Sequence, residues 1–116
     1  MRRFILSWVL MAACSAHAGD YTTPSLIFRI NIVRNDGFMI DGAFGNPGRC
    51  TNGDQLFVRV DHPQYRLIYD TVLAAYLNGK QVFAYVLNCP DVAWYALPGS
   101  TFNVLDATGS VGLYSR

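Results

Sequence analysis

The stretch from Asp61 to Cys89 constrains this chain more than any other: it reads as one amphipathic helix, a glycine stop and one strand that ends on a cysteine. Tyr65, Ile68, Tyr69, Val72, Leu73, Ala75 and Tyr76 recur at the i, i+3, i+4, i+7 spacing of a helix laid on a core. Pro63 suits the first turn, where a missing N–H costs no hydrogen bond. Asp61 or His62 must then cap, and Asp61 is the better acceptor for the free N–H groups. Arg66 and Asp70 stand four apart, a spacing that allows an ion pair. Gly79 closes the helix in the left-handed conformation, and Lys80 suits the negative end of its dipole.

Upstream, Arg2 and Arg3 precede an apolar run from Phe4 to Ala13, and Ala16-His17-Ala18 follows. Basic, apolar and small residues in that order are the layout of a secretory signal peptide, with cleavage expected after Ala18. The apolar run is too short to cross a bilayer as a helix, so no transmembrane segment is expected in the mature chain. A minority reading takes Leu10-Met11-Ala12-Ala13-Cys14 as a lipobox, with Cys14 acylated and the protein anchored there. Under either reading only Cys50 and Cys89 remain as a pair. In an oxidising compartment two cysteines in so small a chain are expected to form a disulfide. A two-cysteine metal site lacks further His or Cys ligands nearby, and no cofactor is expected.

Without Arg2 and Arg3, seven basic residues face eight acidic ones, all of them Asp. No basic patch or charge run stands out, which argues against nucleic acid and anionic membranes as partners.

Taken in order, residues 19–25 look like a polar leader into the domain. Leu26 to Arg34 is a strand with Phe28, Ile30 and Ile32 expected on one face. Asn35-Asp36-Gly37 carries hairpin chemistry, and Phe38 to Phe44 is the return strand, with Gly42 marking a bulge or bend. Cys50 sits in loop sequence. Gln55 to Val60 is the third strand and Gln81 to Leu87 the fourth. Asp91 to Leu97 is either a strand or an aromatic loop. Thr101 to Leu105 is another strand, with Val111 and Leu113 extending the sheet. At roughly 98 residues from Gly19 onward this is one domain. Mainly β with one helix, in the order β-β-β-α-β-β, is the element order of an OB-like five-stranded Greek-key barrel. An open antiparallel sheet with the helix on one face is the alternative.

The run from Tyr65 to Val82, a tyrosine-bearing helix with a short Gly-Lys link into a strand closing on a cysteine, resembles a layout found in small secreted bacterial proteins. It is similar to the receptor-binding B subunits of subtilase-cytotoxin-type toxins, over roughly residues 50–89. The resemblance implies an OB-like fold, a Cys50–Cys89 bridge, self-association into a ring and glycan binding. It carries over no binding residue.

Candidate chemistry is sparse. His62 lacks a visible nucleophile to serve, and a capping or surface histidine is the simpler reading. Asp36, Asp41, Asp54, Asp61 and Asp91 fall in turns or at strand ends, where Asp is common for local reasons. Asn35-Asp36-Gly37 and Asn52-Gly53-Asp54 lack the alternating oxygen ligands of a calcium loop. Trp94 and Tyr95 are the candidate ligand-binding residues, since loop aromatics beside a barrel mouth stack on the apolar face of a sugar. One of them capping the core is the competing reading. The expectation is a secreted or periplasmic protein, not an enzyme, that binds a glycan, a small polar ligand or a protein. A structural or inhibitory interaction domain using a bare strand edge is the alternative.

Overall fold

The computed structural model describes residues 19–90 and 99–114. They form seven strands and one helix: β1 Asp20–Tyr21, β2 Ile27–Val33, β3 Gly37–Gly42, β4 Gln55–Arg59, α1 Tyr65–Asn78, β5 Gln81–Val86, β6 Asn103–Leu105 and β7 Ser110–Tyr114. The protein is mainly β, with a three-stranded sheet ordered β1-β5-β7 and a four-stranded sheet ordered β2-β3-β4-β6. All pairings are antiparallel except β4 with β6. Seven strands in two sheets take the place of the expected five, and no closed barrel forms among the described residues. The segments 20–33 and 103–114 each break into two strands that serve different sheets. Pro24, which has no N–H to donate, lies at the first break, and a turn from Asp106 to Gly109 makes the second. The expected polar leader is thus part of the fold: Thr22 and Ser25 are buried, and their N–H groups reach the β5 carbonyls of Ala84 and Val82.

The β2–β3 hairpin shows where a period-two reading fails. A register shift lies between Ile27 and Arg29, opposite Gly42 and Asp41, so the bulge expected at Gly42 sits on the partner strand. The extra residue moves Phe28 out of the core face, where it is 65% exposed, while Ile27 and Ile30 pack inward. Ile32 is likewise exposed. The turn uses Arg34, Asn35 and Asp36, with Gly37 at φ 145° opening β3. A Cβ at Gly37 would run into the Val58 carbonyl, so glycine is needed there for both φ and space.

The helix packs on β2, β5 and β7 and buries Ile68, Val72 and Ala75 in the core, each large apolar side chain contributing about 1.5–3 kcal/mol. Tyr65 and Tyr69 pack on Phe38 with ring centroids 5.5 and 5.3 Å away, as their helical spacing predicts, while Tyr76 is exposed. Gly79 adopts φ 64° and its N–H returns to the Ala75 carbonyl. Arg66 and Asp70 make the expected exposed ion pair. A second apolar cluster of Met39, Phe57, Phe102 and Val104 lies on the opposite face of the four-stranded sheet. Strands β3 and β4 are therefore buried on both sides, which explains their uninterrupted apolar runs.

The helix entry differs from expectation. Asp61 does not cap; both of its oxygens take the Arg59 guanidinium, at 3.1 and 2.9 Å. Helix α1 starts two residues after Pro63, and the N-cap residue, Gln64, makes no side-chain cap bond. His62 supplies the link instead. It is 5% exposed, its Nδ1 accepts the Gln64 N–H at 3.0 Å, and its Nε2–H therefore donates to the Gly109 carbonyl at 2.9 Å. One ring ties the helix entry to the turn before β7.

Candidate functional site

The most organised polar structure outside the sheets is the loop from Gly45 to Asp54. Its ends close on each other: Asp54 N–H donates to the Gly45 carbonyl, and Gly45 N–H donates to the Asp54 carboxylate, both at 2.8 Å. The carboxylate that sequence offered as a weak calcium candidate is thus part of the loop closure. Inside the loop, Asn46 mimics a strand partner for Cys50, accepting its N–H at 2.8 Å and donating to its carbonyl at 2.7 Å. Cys50 is held in place for Cys89, and the two form a disulfide with Cα atoms 5.5 Å apart. The bridge joins the loop to the chain just beyond β5.

The C-terminal half then locks onto the same loop. Asn103 is fully buried; its Oδ1 accepts the Gly48 N–H at 2.8 Å and its Nδ2 donates to Asn46 Oδ1 at 3.0 Å. Gly48 fits between Asn103 and the bridge, since a Cβ there would lie 2.7 Å from Asn103 Oδ1 and 3.0 Å from each cysteine sulfur. Farther along, Thr51 N–H donates to Thr101 Oγ1 and Thr101 N–H donates to Thr51 Oγ1, at 2.9 and 2.7 Å. The Asn52 N–H and side-chain amide both donate to the Thr101 carbonyl.

This network bears directly on Trp94 and Tyr95. Both lie outside the described residues, as do Cys14, the rest of the expected signal peptide (residues 1–18) and the strand-or-loop from Asp91 to Leu97. Their flanks are described. Cys89 on one side is disulfide-bonded to the 45–54 loop, and Thr101 on the other is hydrogen-bonded to it. The described chain on both sides of residues 91–98 is therefore held on one loop. Sequence reasoning missed Asn46, Gly48, Thr51, Thr101 and Asn103. Asn103 alone left a trace, as a single amide inside the apolar run Phe102-Asn103-Val104-Leu105.

Compared with family models, curated proteins and solved structures, the chain matches none. What the protein does must be argued from its own geometry.

No helix among the described residues is long and apolar enough to cross a membrane. Surface hollows among the described residues include the following. A groove of about 120 Å³ lies between α1 and β7, lined by Gln64, Leu67, Ile68, Thr71, Ser110 and Val111. A shallow cleft of about 310 Å³ is lined by Arg59, Asp61, Asp106, Ala107 and Thr108. Its charges are already engaged: Arg59 by Asp61, and Asp106 by the N–H and hydroxyl of Thr108 and the amide of Asn88. Burial opposes ionisation of Asp106, yet the Thr108 and Asn88 bonds and the Arg59 charge together hold its carboxyl below the ordinary value. Burial, then neighbouring Tyr69, push the Tyr65 phenol up, in keeping with a packing role.

The Asp106 shift has a measurable sign. A carboxyl whose pKa is lower in the folded chain stabilises it above the unfolded pKa, and that contribution is lost as pH falls through the folded value. Asp106→Asn should therefore lower stability at pH 7 by less than about 1 kcal/mol, because the site is largely exposed. The difference should shrink on acidification below about pH 4. Urea titrations of both proteins at pH 7 and pH 3 check this; an unchanged difference at the two pH values would contradict it.

Proposed function

We propose that this is a secreted or periplasmic, non-enzymatic binding protein with an OB-like architecture, taking a glycan or small polar ligand through Trp94, Tyr95 and the adjoining strand face. The observation that carries the reading is the double anchorage of the Trp94–Tyr95 segment. A disulfide on one side and a threonine network on the other hold its two ends on the same ten-residue loop. Loops fixed on a rigid frame are where recognition residues concentrate, because the frame absorbs the ordering entropy before the ligand arrives.

The OB-like part draws support from the order of the pairings. If 20–33 is taken as one bent strand and 103–114 as another, neighbours run 20–33, β3, β4, 103–114, β5 and back to 20–33. Counted along the sequence these are five strands, with α1 between the third, β4, and the fourth, β5. The disulfide fits an oxidising compartment and so supports export, with a signal peptide ending at Ala18. Self-association into a ring and kinship with toxin B subunits belong to the same proposal.

The test is a glycan array probed with the parent protein and with Trp94→Ala/Tyr95→Ala. The parent should bind a defined subset of glycans, and the variant should lose at least about tenfold in affinity. Equal binding by both would sink the assignment. Light scattering on a sizing column at several concentrations reads the assembly state, and a monomer at all of them removes the ring.

A second reading has its own observation. Strand β2 is an edge of the four-stranded sheet and exposes Phe28 and Ile32, so a partner strand could add there. Phe28→Lys would abolish such a contact and leave the glycan profile intact.

A further inference from the structure

The outer face of the three-stranded sheet carries an arrangement that the binding loop does not use. Side chains alternate along each strand, and the register places Tyr21 opposite Tyr85, Ser110 opposite Tyr85, Gly112 opposite Phe83 and Tyr114 opposite Gln81. The residues beneath them, Val82, Ala84 and Val86, belong to the core. The outward set is therefore Tyr21, Gln81, Phe83, Tyr85, Ser110, Gly112 and Tyr114, and none of these is charged. Asp20 falls on the other face by alternation, and its carboxylate accepts the Tyr21 N–H.

The rings lie down on the sheet instead of standing from it. The tip of Phe83 fills the space over Gly112, 2.5–3.1 Å from where a Cβ would be. Tyr85 leans over Gly19 in the same way, its hydroxyl 2.5 Å from an ideal Cβ position. Tyr21 sits between them, 5.1 Å from Tyr85 in an edge-to-face contact and 6.2 Å from Phe83. It remains 60% exposed. Glycines at 19 and 112 thus let two rings flatten, and a third rests across them.

We infer that this face is a second binding site, a stacking platform centred on Tyr21 and Phe83 for uncharged oligosaccharides built of pyranose rings with equatorial hydroxyls. Such sugars present C–H groups on flat faces, which pack on the electron-rich face of an aromatic ring. Their rims carry hydroxyls, and the platform's own rim carries the hydroxyls of Tyr21, Ser110 and Tyr114. An uncharged face gives an anionic or cationic ligand nothing to pair with, so the complement is a neutral one. Phe83 and Tyr85 stand two apart on β5, a backbone spacing of about 7 Å, and with Tyr21 between them form a row that suits a linear chain of sugars over a single compact ligand. The inference shares with the proposed function the premise of a binding module, but it does not rest on Trp94 or Tyr95.

Calorimetric titration of the full secreted chain with cellohexaose and chitohexaose, and with a sialylated trisaccharide as the anionic control, tests it. At least one neutral hexamer should bind and the sialylated probe should not. Tyr21→Ala and Phe83→Leu should each weaken that binding about tenfold or more, with melting temperatures within a few degrees of the parent. Trp94→Ala is titrated beside them. The inference is overturned if neither neutral hexamer binds, or if both platform variants bind like the parent. Loss on Trp94→Ala alone would overturn it while upholding the proposed function. Loss of self-association in Tyr21→Ala, without saccharide binding by the parent, would make a second copy the occupant and overturn it equally.

Discussion

Replacing Cys50 and Cys89 together by alanine should lower the melting temperature by about 20 °C. The bridge spans a sequence separation of 39, and in the chain-entropy model a loop of that size restricts the unfolded ensemble by about 4 kcal/mol. In a domain of this length each kcal/mol moves the midpoint by about 4–8 °C. Both cysteines are seated by hydrogen-bonded backbone, Cys50 by the Asn46 side chain and the residue before Cys89 by an Asn88–Val104 bridge. The native state is thus already shaped for the bond, and the constraint on the unfolded chain should appear nearly in full. Thermal melts of the double variant against the oxidised parent provide the measurement, and urea slopes supply a second readout. The variant's denatured state is less compact, so its slope should be steeper. A midpoint within about 5 °C of the parent would mean that the loop's hydrogen bonds, not the bridge, carry its stability.

Asn103→Leu is the second large effect, expected to cost about 3 kcal/mol although the new side chain is similar in size. Asn103 has no exposed surface, and its removal strands the Gly48 N–H inside the fold. An unpaired buried donor costs about 1–3 kcal/mol, and the lost tie to Asn46 adds to that. Asn46 Oδ1 keeps the Cys50 N–H, so the damage should stop short of unfolding. Asn103→Asp preserves an acceptor for Gly48 but turns a carboxylate toward Asn46 Oδ1, and it should lose at least as much. Urea midpoints give the values. Because Asn103 and the bridge share Gly48, the two perturbations should be non-additive, and a triple variant should be more stable than the sum of losses predicts. Strict additivity would show the amide and the disulfide to be independent.

The helix was the most legible part of the chain, since seven apolar positions at helical spacing ended on a glycine that does take the left-handed conformation. Strands β3, β4 and β5 were legible for a similar reason: each is an apolar run bounded by turn residues. The pairing of Cys50 with Cys89 followed from there being two cysteines once the leader is set aside. What escaped the sequence was non-local. The bulge that exposes Phe28 depends on the opposing strand, and nothing within 26–34 announces it. Asp61 looked like a cap but meets Arg59, while His62, read as a capping or surface residue, is buried between two backbone partners. The Tyr21–Phe83 pair joins residues far apart in sequence. The Asn46–Asn103 contact does the same, and no local pattern encodes either one.

The C-terminal segment from Asn103 to Tyr114 closes the four-stranded sheet through β6 and the three-stranded sheet through β7. Without that segment β4 and β5 each lack a neighbour, and Gly48 and Asn46 lack Asn103. A stretch that stops before Asn103 contains the helix and the hairpin but neither complete sheet. Contacts of such long range make folding slow. For the export proposed above this is an advantage. A polypeptide whose two sheets both wait for one segment stays threadable until that segment arrives, then closes both on it.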